Sequence, residues 1–94
     1  MITLLDVTQD DIRQGRPRNS RLCPIALAAA RAFPDATLVS AGYDHVYVTN
    51  GVDHTNYVYK TNGNARAWQH DFDMDIPVEP TTVKLELIDT WRAS

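Results

Sequence analysis

The stretch that decides the fold is NSRLCPIALAAARAFPD, residues 19–35, because it predicts the central buried helix. Pro24 suits the first helical position, where the N–H that proline lacks would have no partner inside the helix. Pro34 ends the helix. The alanines between the two prolines let the helix lie close to a sheet. We therefore predict a helix from about Pro24 to Phe33, with Cys23 or Leu22 as its boundary residue.

Strands are predicted on both sides of this helix. A first strand covers residues 2–7, and a short helix follows, with Thr8 as its cap, Asp11 three residues later, and Gly15 at its end. Segments rich in β-branched and aromatic residues, separated by glycine and asparagine, predict an antiparallel meander. Its three strands are expected at 37–42, 44–50 and 55–61.

The C-terminal part of the chain predicts one more helix and one more strand. The apolar residues within 64–72 have the spacing of one face of a helix. An extended segment that contains two prolines follows them. Apolar and polar residues alternate over residues 81–89. Val83, Leu85 and Leu87 should therefore face the core, while Lys84 and Glu86 face solvent.

The element order β-α-α-β-β-β-α-β predicts an α+β fold. We expect one domain, residues 1–94, with a mainly antiparallel sheet of four to five strands and the helices packed on one face. Which strands are neighbours does not follow from the sequence.

Composition narrows the classes of function. Apolar residues make up 44%, and the net charge is −3. Residues 1–34 carry five arginines against three aspartates, whereas residues 35–94 carry nine acids against four bases, so the chain lacks the overall basic charge of a protein that coats nucleic acid. The single cysteine excludes an internal disulfide framework. No stretch has the pattern of a membrane span or a signal peptide, and we expect a cytoplasmic protein without membrane contact.

Two short motifs resemble an N-terminal signature of a group of short proteins from actinobacteria and their bacteriophages. The motifs are I-R-Q-G, from Ile12 to Gly15, and C-P-I-A-L-A, from Cys23 to Ala28. An aromatic–Asp pair, Phe72-Asp73, and the element Val78-Glu79-Pro80 are similar to later features of the same group. The group has no established activity. The resemblance therefore implies a small phage or bacterial accessory protein in a host cytoplasm, and it assigns no catalytic residue.

Cys23 is the one candidate nucleophile. A thiolate at a helix N-terminus near Arg21 would be stabilised, but a nucleophile also needs a base. His45, His54 and His70 stand at no diagnostic spacing from it. We predict a structural cysteine and no catalytic residue, with a Cys23-dependent enzyme as an alternative. No metal site and no cofactor are expected, because the zinc ligands are too few and residues 71–75 do not continue as a calcium loop.

The arginine loop, RQGRPRNSR at residues 13–21, is a candidate anion site. It has four arginines and precedes a helix N-terminus, and both features attract phosphate. The residues that would bind the anion are Arg16, Arg18, Ser20 and Arg21. The competing interpretation is a solvated loop whose arginines pair with the acidic C-terminal part.

Tyrosines on the meander are the candidate partner-binding residues. Val46 and Val48 share one face of their strand, which places Tyr43, His45 and Tyr47 on the other. Tyr57 and Tyr59 join that side if Val58 aligns with the valines. Exposed tyrosine is favoured at binding surfaces. The competing interpretation is a half-buried face that is closed by loops or by a second copy of the protein.

The hypothesis that follows is non-enzymatic binding of a macromolecule, in first place a protein partner or a second copy of the chain. The partner-binding residues would be Tyr43, Tyr47, Tyr57 and Tyr59. Phosphate or nucleic-acid binding through the arginine loop is the first alternative, and the Cys23-dependent enzyme is the second. Steep salt dependence of binding would favour the first alternative.

Overall fold

The computed structural model describes residues 2–92, and the helices and strands in this range follow the predicted order. The predicted bounds agree with the observed ones to within one residue except at the end of the last strand. The elements are β1 (Ile2–Val7), α1 (Gln9–Gln14), α2 (Pro24–Ala32), β2 (Ala36–Ala41), β3 (His45–Asn50), β4 (Thr55–Thr61), α3 (Gly63–Asp73) and β5 (Thr81–Arg92).

The sheet has five strands in the order β1-β5-β4-β3-β2, and every neighbouring pair is antiparallel. The predicted α+β class and the meander β2-β3-β4 are therefore confirmed. The last strand lies between the first strand and the meander, which is the part of the strand order that the sequence did not reveal. Helix α2 contacts both β1 and β2, the two edge strands, so the sheet curls around this helix.

Helix α1 is held by its cap and by one ion pair. Thr8 and Asp11 form a capping box, in which each side chain accepts a hydrogen bond from the backbone N–H of the other. The carboxylate of Asp11, which is buried, also accepts two hydrogen bonds from the guanidinium of Arg31 on α2, at 2.8 and 2.9 Å. These contacts lower the pKa of Asp11, and the Arg31 bond contributes most. A helix of six residues is thus fixed by tertiary contacts rather than by propensity.

The core lies between α2 and the concave face of the sheet. The side chains of Ile25, Ala28 and Ala29 on α2 are buried against alternating residues of the strands, including Val46 and Leu85. Helix α3 adds Ala65 to the same core. The alanines have no side chain beyond Cβ, so the curled sheet can approach the helix closely, as the sequence predicts.

Strand β5 is longer than predicted and continues to Arg92 instead of residue 89. Its first half pairs with β1, and its second half pairs with β4. The β4–β5 register shifts between Val58 and Tyr59, which leaves Ile88 as the extra residue of a bulge. A bulge interrupts the alternation of the side chains, and this hides the end of the strand from a search for a period of two.

Candidate functional site

The prediction that the four tyrosines share one open sheet face is wrong. In the β3–β4 register, Tyr59 lies opposite Val46, and Val58 lies opposite Tyr47. Residues directly opposite each other in an antiparallel pair point to the same side. The register therefore sends Tyr57 and Tyr59 to the core side, and it sends Val58 to the side of Tyr47.

The burial of the tyrosines agrees with this register. Tyr59 is buried, and its ring stacks on Phe33 at the end of α2, with ring centroids 5.4 Å apart. Tyr57 is half-buried and stacks on Tyr59 at 6.4 Å. Of the four candidate residues, only Tyr43 and Tyr47 expose large parts of their side chains, 41% and 46%. Tyr47 remains a candidate partner-binding residue on the face opposite the core, whereas Tyr43 lies in the β2–β3 turn and its hydroxyl donates to Asp73 on α3, a helix that packs on the core side.

The outer face of the sheet is the side opposite the core. Around Tyr47 it carries an apolar group that includes Trp91, which is 50% exposed, and Leu38, which is 37% exposed. The register places both on this face, because Trp91 lies opposite Asn56, Asn56 opposite Thr49, and Thr49 opposite Leu38. Val58 is only 8% exposed on the same face. We call Leu38, Tyr47, Val58 and Trp91 the outer patch.

Charged residues of both signs lie on the outer face beside the outer patch and toward β1. The outer row of β1, β4 and β5 includes Lys60, which lies opposite Glu86, and Asp89, which lies opposite Val58. Asp6 and Lys84 continue this row on β1 and β5. The outer face is therefore a mixed surface, on which the β1 edge also exposes Ile2 and Leu4, at 51% and 64%.

The arginine loop does not gather its cations around one point. Arg13 pairs with Asp10 in the preceding helix, and the N–H of Arg18 donates to Asp73 Oδ1 at 2.8 Å. The guanidinium of Arg18 also donates to the main-chain oxygen of Asp73 and lies 4.0 Å from Asp75. The contacts of Arg18 therefore match the competing interpretation, in which the arginines of the loop pair with the acidic C-terminal part of the chain.

The other candidate anion-binding residues lie around a tight turn. The side chain of Asn19 accepts hydrogen bonds from the N–H groups of Arg21 and Leu22, both at 3.1 Å. The main-chain oxygen of Ser20 accepts from Ala41 N at 2.7 Å and fixes the loop to the end of β2. The side chains of Arg16, Ser20 and Arg21 are exposed.

Asp73, at the end of α3, connects the arginine loop with the β2–β3 turn. It is 8% exposed, and its Oδ1 accepts from Arg18 N and from Gln69 Nε2, the latter at 3.0 Å. Its Oδ2 accepts from the Tyr43 hydroxyl at 3.0 Å. This bond and the charge of Asp73 raise the pKa of Tyr43. The structure thus brings one residue of the predicted tyrosine set together with one residue of the predicted anion set.

A cavity of about 250 Å³ lies at this junction. We call it the Gln69 cavity; it is lined by residues 18–20, residues 41–43, Gln69 and Asp73. Gln69 is 3% exposed, and among the described residues its Oε1 has no hydrogen-bond donor. On the other side of Tyr43, a shallower groove of about 450 Å³ runs along α3 past Arg66 and His70.

Cys23 occupies the N-cap position of α2 and is 1% exposed. Burial raises the pKa of its thiol, although the N–H groups of Ala26 and Ile25 act in the opposite direction. His45, one of the three candidate bases, lies on the outer face in the same row as Tyr47. These features fit the predicted structural cysteine, and whether the protein has catalytic activity stays a prediction.

Sequence reasoning did not identify Gln69, Asp73 or Trp91 as site residues. Asp73 entered the sequence analysis only through the Phe72-Asp73 pair and the rejected calcium loop, and an acid four residues after an amide on a helix carries no distinctive signal. Trp91 lies beyond the predicted end of the last strand. Only the pairings of β5 with β4 and of β4 with β3 place Trp91 on the same face as Tyr47, with β4 between their two strands.

Within residues 2–92, no group of three or more His, Cys, Asp or Glu side chains is placed to hold a metal ion. None of the helices in that range has the length and the apolar sequence needed to cross a membrane. A scan against protein-family models and searches of curated proteins and of solved structures found no match to this chain.

Proposed function

We propose that this protein acts without catalysis, by binding another protein through the outer face of its sheet. The observation that carries the proposal is the exposure of Tyr47 and Trp91 on the face opposite the core, at 46% and 50%. Tyrosine and tryptophan are enriched among the residues that dominate binding energy at protein interfaces. Leu38 extends the same surface toward the edge of the sheet.

The charge around the outer patch favours a protein over a nucleic acid as the partner. Beside the patch, Asp89 lies opposite Val58, and the pair of Lys60 and Glu86 comes next along β4 and β5. A surface that neutralises phosphates needs clustered cations. A rim of both signs around an aromatic centre is instead typical of protein interfaces.

The biological setting is a proposal that rests on the sequence. The resemblance carried by Ile12–Gly15 and Cys23–Ala28 supports a phage or bacterial accessory protein. The single cysteine supports a reducing compartment, the cytoplasm of the cell or of the phage host. No cofactor enters this proposal.

The test is capture of a partner from host lysate by the tagged protein and by its Tyr47→Ala, Trp91→Ala double variant. We expect the double variant to lose the captured protein and the wild type to retain it after nuclease treatment. Ile76→Ser is the matched control, because Ile76 is 48% exposed in the segment between α3 and β5, outside the strands that carry the outer patch. Retention of the partner by the double variant would refute the proposal. Loss after nuclease treatment would favour the nucleic-acid alternative.

Sedimentation velocity of the purified protein adds a second readout. A dimer that the double variant abolishes would identify the partner as a second copy of the chain. A dimer that survives in the double variant would show that copies associate through another surface.

A further inference from the structure

Strand β1 is one edge of the sheet, and the main-chain groups at its start face outward. Leu4 lies opposite Lys84 on β5, but the N–H of Lys84 donates to Asn62 Oδ1, on the side of β5 away from β1. The two residues therefore form a non-hydrogen-bonded pair, in which the N–H and C=O of Leu4 point away from β5. The same groups of Ile2, two residues earlier, point the same way. Within residues 2–92, no hydrogen bond satisfies these outward groups of Ile2 and Leu4.

The other end of β1 is closed by a side chain of α2. The guanidinium of Arg31 donates to the main-chain oxygen of Asp6 at 2.9 Å, and Asp11 holds the same guanidinium in place. A strand that paired along the whole edge would meet this side chain. The open part of the edge is therefore the stretch from Ile2 to Leu4.

This open stretch has none of the features that usually protect an exposed edge. Natural sheets place lysine, proline or a bulge on such strands. The other edge strand, β2, has a shift of register between Ala36 and Leu38, and the N–H of Ala41 donates to the arginine loop. By contrast, the register of β1 with β5 is regular, and Ile2 and Leu4 are 51% and 64% exposed. The open stretch is thus both apolar and unpaired.

We propose that β1 pairs antiparallel with β1 of a second copy of the chain, so that Ile2 of each copy lies opposite Leu4 of the other. A two-fold axis through Thr3, perpendicular to the sheet, generates this pairing, and each edge supplies the donors and acceptors that the other needs. The two sheets of five strands become one sheet of ten. The four apolar side chains cover one another on its outer face, and Arg31 stays in place. The proposal does not rest on the outer patch, because none of its residues takes part.

Charge complementarity favours a second copy in this register. On β5, Lys84 lies opposite Leu4, and Glu86 lies opposite Ile2. Each outer row across the dimer therefore ends in Lys84 on one copy and in Glu86 on the other. If Leu4 faced Leu4 of the second copy instead, that row would end in Lys84 on both sides. The next row would then bring Asp6 of one copy toward Glu86 of the other, and like charges oppose pairing.

The test is sedimentation equilibrium of the untagged protein from micromolar to millimolar concentration. A short interface gives a weak dimer, so we expect the apparent mass to rise with concentration toward that of two chains. Leu4→Glu should weaken dimerisation at least about tenfold, because its carboxylate lies in the row that ends in Glu86 of the second copy. Within its own chain the new carboxylate lies opposite Lys84, so the fold is retained. Leu38→Glu is the matched control and should leave the dimer intact, because Leu38 is exposed on the same face but on the other edge strand.

A cysteine at the two-fold axis measures the register independently, in a Cys23→Ala background. Thr3 of the two copies forms a non-hydrogen-bonded pair, in which the Cα atoms lie about 4.5 Å apart, within the range for a disulfide. Oxidised glutathione should therefore link Thr3→Cys into a covalent dimer. Thr37→Cys on β2 is the control and should stay monomeric, because Thr37 is also exposed on an edge strand.

Three results would each overturn the proposal: a protein that stays monomeric at millimolar concentration, a dimer that the folded Leu4→Glu variant retains, and no covalent dimer from Thr3→Cys. The cross-link keeps the proposal testable if Leu4→Glu does not fold. A dimer that Leu38→Glu abolishes and Leu4→Glu retains would assign self-association to the outer patch instead.

Discussion

Leu85→Ala should destabilise the fold strongly, whereas Lys84→Ala on the same strand should have little effect. Leu85 is 0% exposed in the middle of β5, where it pairs with Thr3 on β1 and Thr61 on β4. Truncation of a fully buried leucine removes apolar contacts and leaves a cavity, at a cost of about 2–5 kcal/mol. Leu85 is completely buried, and its two neighbouring strands hold the backbone in place. We therefore expect Leu85→Ala to lower the free energy of unfolding by about 3–5 kcal/mol.

A loss of this size is a large part of the stability of a domain of 94 residues, which is expected to lie between about 5 and 15 kcal/mol. Urea denaturation monitored by circular dichroism measures it directly. For Leu85→Ala the midpoint should fall sharply with little change in slope, and for Lys84→Ala the free energy of unfolding should stay within about 0.5 kcal/mol of wild type. Equal midpoints for the two variants would refute the register of β5 and the assignment of its core face.

Three further predictions concern α1, the start of α2 and the turn between them. The lowered pKa of Asp11 means that its pairing with Arg31 stabilises the fold above about pH 4 and is lost as the pH falls through the folded-state pKa. Asp11→Asn should therefore flatten the acid side of the stability–pH curve, and an unchanged curve would contradict this. Cys23 should react with an alkylating reagent much more slowly than the unfolded chain does, because burial removes it from solvent and raises its pKa; Cys23→Ala should cost only modest stability and leave partner capture intact. Gly15→Ala should cost about 1–3 kcal/mol by thermal or urea unfolding, since a Cβ there would lie 2.7 Å from the Pro24 ring. A wild-type midpoint for that variant would show that the contact relaxes freely.

Local signals predicted most of the elements correctly. The capping pair Thr8 and Asp11, the proline at the start of α2 and the glycine after α1 all act within a few residues of their position in the chain, so the sequence contains their effect directly. The alternation of Val83, Leu85 and Lys84 likewise reports which face of one strand is buried. Each of these signals describes one element by itself.

The candidate site was harder to predict because its parts come from distant segments. Arg18, Tyr43 and Asp73 lie 25 or more residues apart, and their hydrogen bonds exist only because α3 returns to the start of α2. Gln69 becomes notable only once its surroundings are known to lack a donor. The identity of one residue in the sequence does not tell which donors and acceptors will surround its side chain in the fold.

The sequence by itself determined the kind and order of the elements, the burial of α2 and the core side of β5, because these follow from periodicity and capping within one segment. The tertiary structure alone decided how the strands align with one another. The register of β3 with β4 is an example, because it places Val58 opposite Tyr47 and puts Tyr57 and Tyr59 on the core side, near the end of α2. A shift of the register by one residue sends every side chain of a strand to the other face of the sheet. Which register forms depends on the packing of both faces together.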